Sequence, residues 1–322
     1  MRTAWLIYNP AAGKIPAKHF LERAAKVLRS NQWDVSIVET GAPGNLQSIG
    51  EQAVAEHCDA VFVAGGDGTV GTVASALAGS DTALGVLPTG TANVFAQELG
   101  LPRLDLTHLN ALEHAALELA KGSIRRADLG RCNGQPFLLW AGLGLDAQVV
   151  NAMEPRERWE KAFATTQYAT QALWNSIQWE GMDLQARAAS YEWRGKMLVA
   201  VACNIPAYAG GLLDLAPGAK IDDGLLDFWL IGGESLADAL LRVFQIFRGT
   251  HIDAPGVIHF REREACFKVE QEMYLQLDGE PHGLTRTMTF SIEKQALPIL
   301  VPNAGGPRLF SSSGTDMGGT LP

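Results

Sequence analysis

Up to about Ala120, short apolar runs alternate with stretches whose apolar positions recur three and four residues apart. That is the pattern of parallel strands joined by helical crossovers. Strands are expected at Ala4 to Tyr8, Val35 to Glu39, Ala60 to Ala64 and Ala83 to Leu87, each apolar on both faces as a covered parallel strand must be. Between the first two, Ala17, Phe20, Leu21, Ala24, Val27 and Leu28 share one helical face, with Lys18, Glu22, Arg23 and Arg29 outside it. After residue 125 a period of two takes over, as in Met273, Leu275, Leu277 and in Phe290, Ile292, with Asp-Gly pairs suited to hairpin turns. Helices are expected from Glu154 to Trp179 and from Leu236 to Phe247, where Leu236, Ala239, Leu240 and Val243 share a face. From Ala304 the chain turns to Gly, Ser, Thr and Pro. The expected organisation is an α/β domain over 1–125, a β-rich domain over 126–303 whose last strand could return to the first, and a disordered tail over 304–322.

Composition narrows the class. The 322 residues suffice for two domains with cores of their own, and 47% apolar with 19% charged residues excludes a disordered chain or a disulfide-stapled miniprotein. A net charge of -9 has the wrong sign for broad contact with phosphate backbones, so no nucleic-acid partner is expected. Cys58, Cys132, Cys203 and Cys266 have no C-x-x-C spacing, and the seven histidines form no H-x-x-x-H pair. Neither a zinc site nor a disulfide framework is suggested, and a reducing cytoplasm fits. The apolar run after Met1 is too short for a signal peptide's core, and no run approaches a membrane span. Membrane contact would then be peripheral.

Three loops carry candidate chemistry, and all end strands. Asn9-Pro10-Ala11-Ala12-Gly13-Lys14 lies between the first strand and the first helix, where backbone N–H groups and the helix dipole favour an anion; a plain turn is the simpler alternative. Gly65-Gly66-Asp67-Gly68-Thr69 follows the third strand. Its glycines let the backbone approach phosphate oxygens while Asp67 offers a ligand to Mg²⁺. Gly66 to Gly71 also spells G-x-G-x-x-G, but the next strand ends in Leu87-Pro88-Thr89-Gly90 rather than in the acid a dinucleotide site needs. Pro88-Thr89-Gly90-Thr91-Ala92-Asn93 supplies hydroxyls and an amide at the fourth strand's end.

In this order and spacing, N-P-A-A-G, G-G-D-G-T and P-T-G-T-A-N resemble the catalytic domain of the diacylglycerol kinase family, more narrowly the soluble bacterial lipid kinases, with sphingosine kinases as relatives. The resemblance continues through Gly142 to Ala147, Tyr208 to Gly211, Lys220 to Asp227 and Asp278-Gly279-Glu280. It implies a nucleotide-binding α/β domain, a β-sandwich domain and ATP held between them. It implies ATP contacts from Asn9, Pro10, Ala11, Ala12, Gly13, Thr40, Gly65, Gly66, Asp67, Gly68, Thr69, Val70, Gly71, Thr91 and Asn93. It further implies a structural Mg²⁺ on Asp223 and the carbonyls of Lys220 and Leu225, in a segment that otherwise reads as a hairpin turn. Glu280 is the expected general base, with Asp278 orienting it or the metal and Asp67 organising catalytic Mg²⁺; the roles of Glu280 and Asp278 could be exchanged. Gly71, Val94 and Gln97 stand where relatives often carry Asn, Asp and Arg, which leaves lipid preference open.

The implied activity is ATP- and Mg²⁺-dependent phosphorylation of a hydroxyl on a diacylglycerol-like or sphingoid lipid, in phospholipid metabolism. NAD kinase shares G-G-D-G-T but differs in its next loop, and a lipid-binding protein without catalysis is the other alternative. A homodimer is allowed. Four tryptophans, Trp159, Trp174, Trp179 and Trp193, with Arg156, Arg158 and Lys161, suit a segment at a membrane surface, although aromatics at helical spacing also fill cores.

Overall fold

The computed structural model describes residues 1–9, 17–41, 45–102, 108–152 and 181–311. The chain forms two compact units. The first takes Met1–Leu129, Lys220–Gly224 and the chain from Glu293 on; the second takes Gly130–Ala219 and Leu225–Ile292.

In the first unit, β1 (Arg2–Tyr8), β2 (Trp33–Glu39), β3 (Ala60–Gly65) and β4 (Ala83–Pro88) are parallel, in the order β2-β1-β3-β4. Every position of β3 and β4 is buried, which is why their sequences show no alternation. The crossovers are α1 (Ala17–Ser30), α2 (Leu46–Ala55) and α3 (Asp67–Leu77), with α4 (Val94–Glu98) and α5 (Ala111–Lys121) following β4. Helix α1 buries Leu21, Ala24 and Leu28, and α3 buries Val70, Val73 and Leu77. Each such Val or Leu contributes roughly 1.5–3 kcal/mol. An ion pair from Arg23 to Glu113 joins α1 to α5.

The strand order reverses direction between β1 and β3. In open parallel sheets a ligand crevice opens at such a switch point, beyond the carboxyl ends of the strands. Asn9, Thr40, Gly66 and Thr89 each follow a strand at that edge.

Two later segments complete this unit. On β5 (Ser123–Cys132) the buried Asp128 carboxylate accepts from the N–H of Gln295 at 2.7 Å and of Gly224 at 2.5 Å. Near its end, β16 (Glu280–Val301) pairs Ile299 with Leu84 of β4 in parallel. The expectation of disorder from Ala304 does not hold through Ser311. Leu309 and Phe310 are buried, Arg125 lies over the Phe310 ring at 3.9 Å, and the Ser311 N–H donates to Asp222. Two apolar side chains anchor a stretch whose composition is otherwise polar; residues 312–322 lie outside the described residues.

The second unit is antiparallel. Its strands are β6 (Gln135–Phe137), β7 (Trp140–Gly144), β8 (Met182–Ala188), β9 (Glu192–Met197), β10 (Val199–Cys203), β13 (Leu226–Ile231), β14 (Val257–Glu262), β15 (Glu264–Leu277) and the first part of β16, with short β11 (Ala207–Tyr208) and β12 (Leu213–Asp214) paired to each other. Strand β15 serves two neighbours on one side: Ala265 to Val269 pair with β8, and Leu275 to Leu277 with β7. These strands enclose one core, where Phe228, Phe267 and Phe290 form edge-on pairs with ring centres 5.0 to 5.6 Å apart. Helix α6 (Leu145–Ala152) follows β7.

Helix α7 (Leu236–Phe247) starts at Ser235, whose hydroxyl accepts the Asp238 N–H. The face that carries Leu240 and Val243 stands exposed among the described residues, along with Phe244 and Phe247, while Ile246 is buried and Arg242 donates to the Gly232 carbonyl. No helix among the described residues is long and apolar enough to cross a membrane.

Candidate functional site

At the switch-point edge the loops after β3 and β4 touch backbone to backbone. A Cβ on Gly90 would stand 2.4 Å from the Cα of Gly66, so no side chain fits there. The Thr89 N–H donates to the Gly65 carbonyl at 3.3 Å. Asn93 holds the second loop from inside: buried and left-handed at φ 55°, it accepts the Gly90 N–H at 2.9 Å and donates to the Gly90 carbonyl at 2.8 Å. Its conformation is one that Asn tolerates better than most residues.

Gly66 precedes α3 in an extended conformation and Asp67 opens the helix. One Asp67 carboxyl oxygen accepts the Phe95 N–H at 3.1 Å, which ties the two loops a second time. The first-turn N–H groups of α3 have no carbonyl within the helix to bond, so this end suits an anion. Of the other residues expected here, Gly65 and Val70 are buried, Gly68, Thr69 and Gly71 are half-buried, and Thr91 is exposed. Asn9 is half-buried after β1; Thr40 is buried after β2, its N–H donating to the Tyr8 carbonyl at 2.9 Å. Pro10, Ala11, Ala12 and Gly13 lie outside the described residues. Of the unusual positions, Val94 is buried and the Gln97 amide donates to the Ala92 carbonyl.

The segment Lys220–Gly224 is a turn in the first unit, not a hairpin between paired strands. Lys220 donates to the Arg308 carbonyl, Asp222 pairs with Arg125 at 3.2 Å, and Asp223 is half-buried. Leu225 begins the next stretch of the second unit. Burial pushes the Asp128 carboxyl above its usual value, opposed by the N–H groups of Gln295 and Gly224. Among the described residues no group of three His, Cys, Asp or Glu side chains converges as a metal cage. Mg²⁺ does not need one, since it keeps several waters and usually takes one or two carboxylates.

In the second unit, Asp278 and Gly279 form the two-residue turn between β15 and β16, with Leu277 opposite Glu280. Both have positive φ, 51° and 79°, as a type I′ turn requires. The turn is not merely solvated. The Asp278 carboxylate accepts the N–H groups of Leu138, Leu139 and Trp140 at 2.7 to 3.1 Å, and the Asp278 N–H donates to the Trp140 carbonyl. Glu280 follows, half-buried.

Beneath this turn lies a network to which the sequence analysis assigned no role. Asp146 Oδ2 accepts from the Tyr208 hydroxyl at 2.5 Å and from Gln276 Nε2 at 3.1 Å. Burial pushes Asp146 up to about 6 despite those bonds, and it drives Tyr208 well above its usual value, with the Asp146 charge adding to the shift. Asp146 and Tyr208 stand in the blocks Gly142–Ala147 and Tyr208–Gly211, but Gln276 sits on the polar register between Leu275 and Leu277, so nothing in the sequence marks it as buried. Trp193 packs against the second unit's core; Trp159, Trp174, Trp179, Arg156, Arg158 and Lys161 lie outside the described residues.

Comparison with known proteins bears on both units. Residues 3–132 match the family described as the diacylglycerol kinase catalytic domain, and residues 141–301 match the YegS C-terminal NAD kinase beta sandwich-like domain. A "Diacylglycerol kinase" of Bacillus subtilis (strain 168) is 28% identical over 294 residues, 88% of this chain and 91% of the relative. A "Probable lipid kinase YegS-like" of Pseudomonas fluorescens is 31% identical over 305 residues, 94% of this chain and 96% of the relative. A crystal structure of a diacylglycerol kinase from Bacillus anthracis str. Sterne superposes with a TM-score of 0.70 at 20% identity, covering 94% of this chain and 98% of that one, which is a likeness of fold.

Proposed function

The chain belongs to the diacylglycerol kinase catalytic-domain family of lipid kinases, and from that membership we propose that it transfers a phosphoryl group from ATP to a hydroxyl of a diacylglycerol-like or sphingoid lipid. The observation that carries the reading is the joined pair of loops at the switch point, where a Cβ on Gly90 would meet the Gly66 backbone and no side chain caps the start of α3. Bare backbone at a helix start is what polyphosphate recognition needs. Bound there, ATP supplies the transferable phosphoryl and Mg²⁺ neutralises the charge that develops during transfer.

The chain's own residues have the following roles in this proposal. Asn9 to Gly13, Thr40, Gly65 to Gly71, Thr91 and Asn93 hold and orient the nucleotide, Val70 only through its backbone, since its side chain is in the core. Asp67 offers its carboxylate to Mg²⁺, and Asp223, with the Lys220 and Leu225 carbonyls, holds a structural Mg²⁺. Glu280 takes the proton of the acceptor hydroxyl. Asp278 spends its carboxylate on three backbone N–H groups, which supports a role in positioning the turn rather than in taking the proton. The test is transfer of labelled phosphate from ATP with Mg²⁺ to a panel holding a diacylglycerol, a sphingoid base and NAD. Label in a lipid is the expected result. Label in NAD alone would make the chain an NAD kinase, and label in none would leave a binding protein.

A further inference from the structure

Glu280 follows a turn that is fastened from two sides. On one side Asp278 accepts the N–H groups of Leu138, Leu139 and Trp140. On the other, Gln276 is 1% exposed and uses both ends of its amide: Oε1 accepts the Gly279 N–H at 3.0 Å, and Nε2 donates to Asp146 Oδ2 at 3.1 Å. Only one amide orientation satisfies both partners. A carboxylate at 146 accepts and never donates, so it holds the NH₂ toward itself and the oxygen toward Gly279. The Tyr208 hydroxyl, bonded to the same Oδ2, fixes the carboxylate in turn. Gly142 makes the room, because a Cβ there would stand 2.7 Å from Asp146 Oδ2 and 2.9 Å from Gln276 Nε2.

The arrangement carries a cost that packing does not explain. Asp146 is half-buried as a residue, yet its Oδ1 is out of solvent and bonds no other side chain among the described residues, and the Ala147 and Asp146 N–H groups offset its burial only in part. A buried carboxylate is unfavourable, and an apolar pair in its place would fill the space without that cost. What the carboxylate does provide is an acceptor of fixed direction for the Gln276 amide, one residue pair away from the turn.

We propose that Asp146 and Gln276 are positioning residues for Glu280: through the Gln276 amide, Asp146 fixes the Gly279 backbone and so the point from which the Glu280 carboxylate leaves the strand. The inference rests on Glu280 being the base of the proposed reaction, but the clasp itself is testable without activity. In Gln276→Leu, of similar volume, hydrogen exchange at the Gly279 amide rises at least tenfold. Turnover at saturating lipid falls about 10- to 100-fold with KM for ATP unchanged, as expected when a reacting group is misplaced and nucleotide binding is not. Asp146→Leu, which leaves the Gln276 NH₂ without its acceptor, shifts both quantities in the same direction. Should Gln276→Leu not fold, Gln276→Asn, polar but one methylene too short to bridge, must give the same pair of effects.

Unchanged exchange at Gly279, or turnover within twofold of wild type in both Gln276 variants, would overturn the proposal. So would faster exchange throughout β15 and β16 with an equal loss of ATP affinity, which would mean that these residues only hold the fold. If the wild-type protein phosphorylates no lipid, the kinase reading falls by itself, and the Gly279 exchange still decides whether the clasp exists.

Discussion

A methyl group on Gly90 is a small change with a definite address. It would stand 2.4 Å from the Gly66 Cα, too close for any relaxation that leaves both loops in place. Gly90→Ala is therefore predicted to lower ATP affinity at least tenfold, measured by titration calorimetry, while the protein keeps its native circular dichroism. Wild-type affinity would show that the joined loops are not the phosphate cradle. Asp146 makes a prediction of opposite kind. Its folded value of about 6 lies above the 3.8 of an unstrained carboxyl, so the folded state holds the proton more tightly than the unfolded one. The charge therefore costs stability in full above pH 6, and the cost falls away as pH drops from 6 toward 4. The difference between the two values corresponds to about 3 kcal/mol. Asp146→Asn should melt above wild type at pH 7.5, with the gap closing near pH 4; a gap constant over that range would contradict the assigned cause. At this scale the sequence was legible where backbone freedom mattered and opaque where partners came from afar. The glycines around Asp67 announce their loop, whereas Asp278 reads as a turn acid and only the fold shows that three N–H groups of residues 138–140 take up its carboxylate.

Among the elements, β3 and β4 were readable because burial on both faces leaves an unbroken apolar run, and β15 because one buried face imposes alternation. Gln276 keeps that alternation as a polar residue between Leu275 and Leu277, so its burial and its partners come to light only in the fold. Composition misled at the segment 304–311, where Gly and Pro outnumber the two side chains that matter. Phe310 is 4% exposed beneath the Arg125 guanidinium. Phe310→Ala should remove about 3–5 kcal/mol from the first unit, read as a lower denaturant midpoint. A midpoint within experimental error of wild type would mean that this segment does not pack in solution. Helix α7 shows the limit of periodicity from another side: the shared face of Leu240 and Val243 was legible, but not that it stands exposed while Arg242 and Ile246 turn inward.

Across the whole chain, the first unit carries a candidate phosphate cradle at the ends of parallel strands, and the second carries Glu280 next to a fastened two-residue turn. Each unit contributes what its architecture makes easily: a switch-point edge in the first, rigid two-residue turns in the second. The most direct test is the rate of phosphate transfer from ATP to diacylglycerol in mixed micelles with Mg²⁺, measured for wild type beside Glu280→Gln, with ATP affinity determined on the same preparations. Wild type is expected to turn over, and Glu280→Gln, which keeps the shape but cannot take the hydroxyl proton, to lose about 10²- to 10⁴-fold in rate with ATP affinity unchanged. Equal rates in the two proteins would remove Glu280 from the chemistry, and no transfer to diacylglycerol or to a sphingoid base by wild type would contradict the lipid kinase itself.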